Sequence, residues 1–136
     1  MKRPLIEFVG EINDEQKTSF LGNARALLFP VDWAEPFGLV MIEAMSCGTP
    51  VIAFNRGSVP EVIEDGVTGF IVESVPQAVE AFSRVHELLR TNVRCVFEQR
   101  FTAKRMAADY LQIYRLVIDN YKSGPLSLSA GYHRQI

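Results

Sequence analysis

Residues 33–50 read Trp-Ala-Glu-Pro-Phe-Gly-Leu-Val-Met-Ile-Glu-Ala-Met-Ser-Cys-Gly-Thr-Pro and lie between two short apolar runs, residues 26–29 and 51–54. Apolar run, turn, helix, apolar run is the outline of a βαβ unit, whose strands are parallel and covered on both faces. Glu35-Pro36 breaks the chain before the helix, Gly48 suits a left-handed stop, and Pro50 forbids continuation. From Phe37 to Met45 the pattern is apolar nearly all round and predicts a buried helix. Glu43 is the only charge between Phe37 and Pro50. A buried carboxylate must be paired or hydrogen-bonded, so a polar partner is expected for it.

The 136 residues suffice for one core, and 48% apolar with 22% charged residues is an ordinary globular balance. Fourteen basic against sixteen acidic residues, with no Lys/Arg block, give no reason to expect a nucleic acid as partner. Cys47 and Cys95 stand apart, outside any metal-ligand spacing, and read as reduced thiols. Glu7 and Glu11 interrupt what would be the apolar part of a signal peptide, and no run reaches membrane-spanning length. A cytoplasmic setting is expected.

Taken in order, residues 5–9 predict a first strand ending at Gly10. Asn13 with Gln16 is a capping box for a helix over residues 14–21. Strands follow at residues 26–29 and 51–54. Ser58 with Glu61 suggests another capping box, and residues 70–72 a short fourth strand. Ser74 with Gln77 opens a helix with apolar residues at three- and four-residue steps, from Val75 to Leu89. A short helix is expected near residues 93–100. Thr102 then caps a long helix with Met106, Tyr110, Leu111, Tyr114, Val117, Ile118 and Tyr121 along one stripe, which predicts core packing with wet tyrosine hydroxyls. Residues 123–136 are turn-rich and aperiodic, and read as a tail after a domain of residues 1–122. The fold class expected is α/β, a partial Rossmann-like parallel sheet flanked by helices with a long C-terminal helix.

In open parallel sheets ligands bind outside the carboxyl ends of the strands. Of the loops there, residues 32–38 are the best candidate. A helix starting near Phe37-Gly38 offers free N–H groups and the positive end of its dipole, which suits a phosphate. Glu35 at the mouth of the loop and Glu43 along the helix suit neutral hydroxyls, which donate to carboxylate oxygens. Hydroxyls on both sides of a phosphate describe a nucleotide sugar.

Glu35-Pro36-Phe37-Gly38-Leu39-Val40, Glu43-Ala44-Met45 and Gly48-Thr49-Pro50-Val51-Ile52-Ala53 resemble the E-x7-E signature of retaining nucleotide-sugar glycosyltransferases. This is the GT-B fold group, glycosyltransferase group 1, that includes glycogen and sucrose synthases. Phe8-Val9-Gly10, Gly57-Ser58-Val59-Pro60-Glu61 and residues 64–70 resemble the same family in the same order. Several spaced motifs in order make this specific, whereas a bare pair of glutamates would carry little.

The resemblance implies a nucleoside diphosphate sugar as donor and transfer to an acceptor hydroxyl with retention, without a metal or other cofactor. It implies ribose hydroxyls on Glu43, a catalytic and sugar-binding place for Glu35, and the diphosphate on the amides of Phe37, Gly38, Leu39 and Val40. The loop after Gly10 would lie by the base. The chain departs from the family in lacking the two preceding βα units, whose Arg and Lys neutralise the diphosphate, and the acceptor-binding N-terminal domain. It therefore resembles the C-terminal half or more of a donor domain, inactive alone. Arg56 has no motif that gives it the missing role and reads as a solvated loop residue.

Other readings stand beside these. Glu43 pairs with a buried arginine or a backbone amide, Glu35 is a loop acid ahead of a proline, and Trp33 is a lid residue in the core. The chain as a whole is a non-catalytic nucleotide-binding or interaction module, or, within enzymes, a sugar-nucleotide epimerase. The incomplete sheet predicts self-association or marginal stability through its open edge.

Overall fold

The computed structural model describes residues 5–122. The elements run α1 (Asp14–Asn23), β1 (Leu27–Phe29), α2 (Leu39–Ser46), β2 (Val51–Phe54), α3 (Val59–Val62), β3 (Gly69–Val72), α4 (Val75–Arg84), α5 (Arg90–Arg100) and α6 (Ala103–Lys122), with a 3₁₀ turn at Val85–Glu87. The strands form a parallel sheet in the order β1-β2-β3. Leu28 stands beside Ile52, and Ile52 beside Phe70, in the two ladders.

Alternation along β2 sorts the core. Val51 and Ala53 face one way, against Met41, Ala44 and Met45 of α2, Val59 and Val62 of α3, and Val93 of α5. Ile52 faces the other way, with Phe70, Val72, Ala81 and Val85. Both faces of β2 are covered, which is why its sequence reads as an unbroken apolar run. The expected α/β class and the long C-terminal helix are therefore present.

Residues 5–9 are not a strand, so the sheet has three strands among the described residues rather than four. They pair with neither open edge, and Leu5 and Phe8 are almost fully exposed. An extended segment without a ladder partner leaves its backbone groups to water and gains no burial. α5 starts at Arg90, earlier than residue 93.

The capping expectations divide. Asn13 and Gln16 form the reciprocal box, and Thr102 Oγ1 accepts from the Arg105 amide at 3.2 Å. Ser58 does not cap α3. Its backbone is already helical (φ −76°, ψ −8°), and its hydroxyl donates to the Phe37 carbonyl at 2.9 Å. Ser74 makes no cap bond either, and Gln77 Oε1 instead accepts from the Glu73 amide at 2.7 Å.

The α6 tyrosines contradict the core-packing expectation. No residue of α6 is buried, and Tyr110, Tyr114 and Tyr121 are 53%, 57% and 83% exposed. The stripe is present but no described element lies over it. The tail expected at 123–136 lies outside the described residues.

Candidate functional site

The crevice outside the carboxyl ends of the strands is built by the loops after β1 and β2. Gly57 has φ +52°, and a Cβ there would lie 2.3 Å from the Glu35 carbonyl oxygen and 2.5 Å from its nitrogen. Only glycine lets the second loop press so close to the first. The Ser58 amide donates to the Glu35 carbonyl at 3.0 Å, and the Ser58 hydroxyl holds Phe37 next to it. Phe37 also meets Phe101 of α5's end edge-on, with ring centroids 6.5 Å apart. The backbone from Glu35 to Phe37 is thereby fixed.

Gly38 sits at the N-cap of α2 in the left-handed region (φ 72°, ψ 65°) and has no side chain with which to cap it. Its carbonyl accepts from the Met41 amide at 2.9 Å. The amides of Leu39 and Val40 head the helix, where no intrahelical acceptor exists. The other end of α2 is well served. Arg90 Nη2 donates to the Cys47 carbonyl at 3.3 Å, and Arg94 donates to the Ser46 carbonyl. Two guanidinium groups at the negative end and an uncapped positive end leave α2 suited to an external acceptor at Gly38–Val40.

The two signature glutamates flank this start but share no hydrogen bond. Glu35 Oε2 accepts from Trp33 Nε1 at 3.1 Å. Trp33 is 63% exposed, so it is no core lid. Glu43 Oε1 accepts from Lys17 Nζ of α1 at 2.9 Å. Both side chains of that pair are 34% exposed. The expectation of a helix buried all round is corrected accordingly: Met41, Ala44 and Met45 face the core, while Glu43 faces a crevice toward α1 and Leu39 is exposed. The expected polar partner exists, but it is a half-exposed lysine and not a buried arginine or an amide. Lys17 also meets Asp14 at 3.0 Å, and its pKa is raised, by the Glu43 hydrogen bond first and Asp14 second.

Arg56 is not a freely solvated residue. It donates to Asp32, after β1, at 3.0 Å and to Glu73, after β3, at 3.1 Å, which ties the three strand ends together. Asn55 Nδ2 donates to Glu73 at 2.8 Å. Asn55 and then Arg56 lower the Glu73 pKa, while Glu73 and then Asp32 raise that of Arg56.

Sequence reasoning missed Lys17, the Arg56 tie and Arg90. A tertiary ion pair has no local signature. Arg90 follows a leucine pair at the end of an amphipathic run, where any surface arginine would look the same. Among the described residues, no group of three or more His, Cys, Asp or Glu could hold a metal ion. Nor is any helix among them long and apolar enough to cross a membrane. Cys47 and Cys95 are free thiols.

A parallel α/β sheet flanked by helices, with an uncapped helix start between two acids outside its carboxyl ends, is a Rossmann-like arrangement. Residues 3–104 match the family described as glycosyl transferases group 1, and the chain belongs to that family. It is 30% identical over 139 residues to N-acetyl-alpha-D-glucosaminyl L-malate synthase of Bacillus anthracis, covering 90% of this chain and 36% of that one. It is 30% identical over 103 residues to a phosphatidyl-myo-inositol mannosyltransferase of Mycobacterium tuberculosis, covering 76% of this chain and 27% of that one. The crystal structure of Anabaena Alr3699/HepE in complex with UDP is similar in fold, with a TM-score of 0.55 and 26% identity over 77% of this chain and 29% of that one. The chain thus spans 27% to 36% of the length of these proteins.

Proposed function

We propose that this chain is the donor-binding part of a retaining glycosyltransferase, with residues 1–122 forming that unit and 123–136 a tail. The observation that carries the reading is the uncapped start of α2 at Gly38, with Glu35 before it and Glu43 one turn along. A nucleoside diphosphate sugar lies across that start. Its diphosphate accepts from the amides of Phe37, Gly38, Leu39 and Val40, its ribose hydroxyls donate to Glu43, and its sugar hydroxyls meet Glu35. In transfer, the bond from the sugar's anomeric carbon to the diphosphate breaks, a bond to an acceptor hydroxyl oxygen forms on the same face, and the hydroxyl proton passes to the departing diphosphate. The helix start stabilises the charge that develops on the departing diphosphate. No metal is required. The similarity to a structure in complex with UDP supports a nucleotide as the ligand.

The acceptor is bound by a domain outside these 136 residues, in a cytoplasmic enzyme of carbohydrate biosynthesis, and the chain alone is inactive. The lengths of the relatives support this division. One observation favours a second reading, a nucleotide-binding module without catalysis: Arg56, a cation of the neighbouring loop, is engaged by Asp32 and Glu73 and not turned to the helix start.

NMR titration of the chain with millimolar UDP, GDP and ADP tests the site. Amide shifts centred on Gly38–Val40 and Glu43 are expected, weakened about tenfold in Glu43→Gln, which loses a charged hydrogen-bond acceptor. Shifts centred on another part of the chain overturn the assignment.

A further inference from the structure

Lys17 has no part in the signature, yet it holds one oxygen of the glutamate assigned to the ribose. Its ammonium lies 2.9 Å from Glu43 Oε1 and 3.0 Å from Asp14 Oδ1, in the crevice between α1 and α2. A solvent-facing pair of this kind adds little to fold stability. Its effect on the shape of the crevice is larger, because a glutamate free to rotate loses side-chain entropy each time it meets a ligand.

The frame behind the pair is rigid. The capping box at Asn13 fixes the start of α1, the turn that carries Asp14 and Lys17. At the other end of α1, Arg90 donates to the Gly22 and Ala24 carbonyls at 2.7 Å each. The same guanidinium reaches the Thr49 hydroxyl at 2.8 Å, just past α2, and that hydroxyl donates to the Leu21 carbonyl at 2.7 Å. Thr49 is fully buried. The two helix ends are therefore tied through one arginine, and the register of Lys17 against Glu43 follows from that tie.

We propose that Lys17 is a positioning residue for the donor's ribose: by occupying Oε1 of Glu43 it presents Oε2 to the vicinal hydroxyls. The proposal rests on the ribose role given to Glu43. Lys17 stays an ammonium through the neutral range, since both carboxylates raise its pKa. Asp14 holds the same ammonium at 3.0 Å, so the lysine has two carboxylate partners.

The test compares UDP with 2′,3′-dideoxyuridine diphosphate, which keeps base and diphosphate but lacks both hydroxyls. Dissociation constants are measured for the wild-type chain, Lys17→Met and Lys17→Arg, with thermal melting as a check on folding. The wild type prefers UDP. In Lys17→Met the affinity for UDP falls about fivefold to tenfold, the scale of a weakened charged hydrogen bond, and that for the dideoxy compound does not change. Lys17→Arg restores most of the preference.

A Lys17→Met chain that melts lower but keeps its preference for UDP reduces the lysine to a tie between helices and overturns the proposal. Equal losses for both compounds make Lys17 a diphosphate ligand and overturn it too. A wild-type chain that binds both compounds equally removes the ribose role of Glu43 itself, which separates that failure from a failure of Lys17. Should Lys17→Met not fold, the milder Lys17→Gln carries the same comparison.

Discussion

Helices α2 and α6 both carry apolar residues at helical spacing, and their fates differ. α2 is eight residues long and puts Met41, Ala44 and Met45 at 0% exposure, while α6 is twenty residues long and buries none. The difference is positional. α2 joins two strands that pair with each other, so the connection must lay it on the sheet between them. α6 follows the last strand by two helices and has no sheet beneath it. Helical periodicity therefore shows which side of a helix is able to be buried, and topology decides whether it is.

The largest way to break this comparison is to empty the core under α2. Met45→Ala removes a fully buried side chain from the cluster of Val51, Val59 and Val93, and is expected to cost about 2–5 kcal/mol. Chemical denaturation measures it. A loss no larger than that of an α6 substitution would mean that the sheet-facing cluster is not what holds the fold.

A second change strikes the crevice without touching the core. Gly57→Ala places a Cβ against the Glu35 backbone at a positive φ, and is expected to cost about 1–3 kcal/mol in stability. Because the Ser58 amide and hydroxyl hold Glu35 and Phe37, the same variant also displaces the loop that leads into α2. The NMR shifts of Phe37–Val40 amides should move more than those of α4. If the disturbance stays within residues 56–58, the two loops are not coupled.

What was legible in the sequence follows the same division. The βαβ unit around α2 was readable because strand, turn, helix and stop each have local causes: Pro36 before the helix, Gly48 at a positive φ after it, and the apolar run of β2. The box at Asn13 was readable for the same reason. Residues 5–9 misled because a short apolar run ending at a glycine describes a segment able to pair, not one with a partner. Ser58 misled because a serine three residues before a glutamate can spend its hydroxyl on a distant carbonyl. The partner of Glu43 was unreadable: Lys17 is 26 residues away and its place depends on how α1 docks. The charge of Glu43 announced that a partner was needed, and tertiary structure chose it.

A smaller effect separates the tied strand ends from the rest of the surface. The Asn55 amide and the Arg56 guanidinium hold Glu73 below its ordinary value of 4.5. The stability this provides is fully present above that value and is lost as the pH falls through the lower folded-state pKa. Glu73→Gln removes it, so the gap in melting temperature between wild type and variant should be widest near neutrality and close in acid. A gap of constant size would assign the effect of the substitution to packing.

The smallest effect belongs to α6 and sharpens the comparison most. Tyr114 packs beside Tyr110, with ring centroids 6.1 Å apart, and is 57% exposed. Tyr114→Ser in the dilute chain should change stability by no more than about 0.5 kcal/mol, as for other surface positions. The open edge of β1, where Leu28 is 58% exposed, leads to an expectation of self-association as concentration rises. Sedimentation separates the two surfaces. If association runs through the sheet edge, Leu28→Asp abolishes it and Tyr114→Ser leaves it intact. If Tyr114→Ser abolishes it instead, the α6 stripe is the surface that a second copy covers, and the helix that buries nothing in one chain is buried between two.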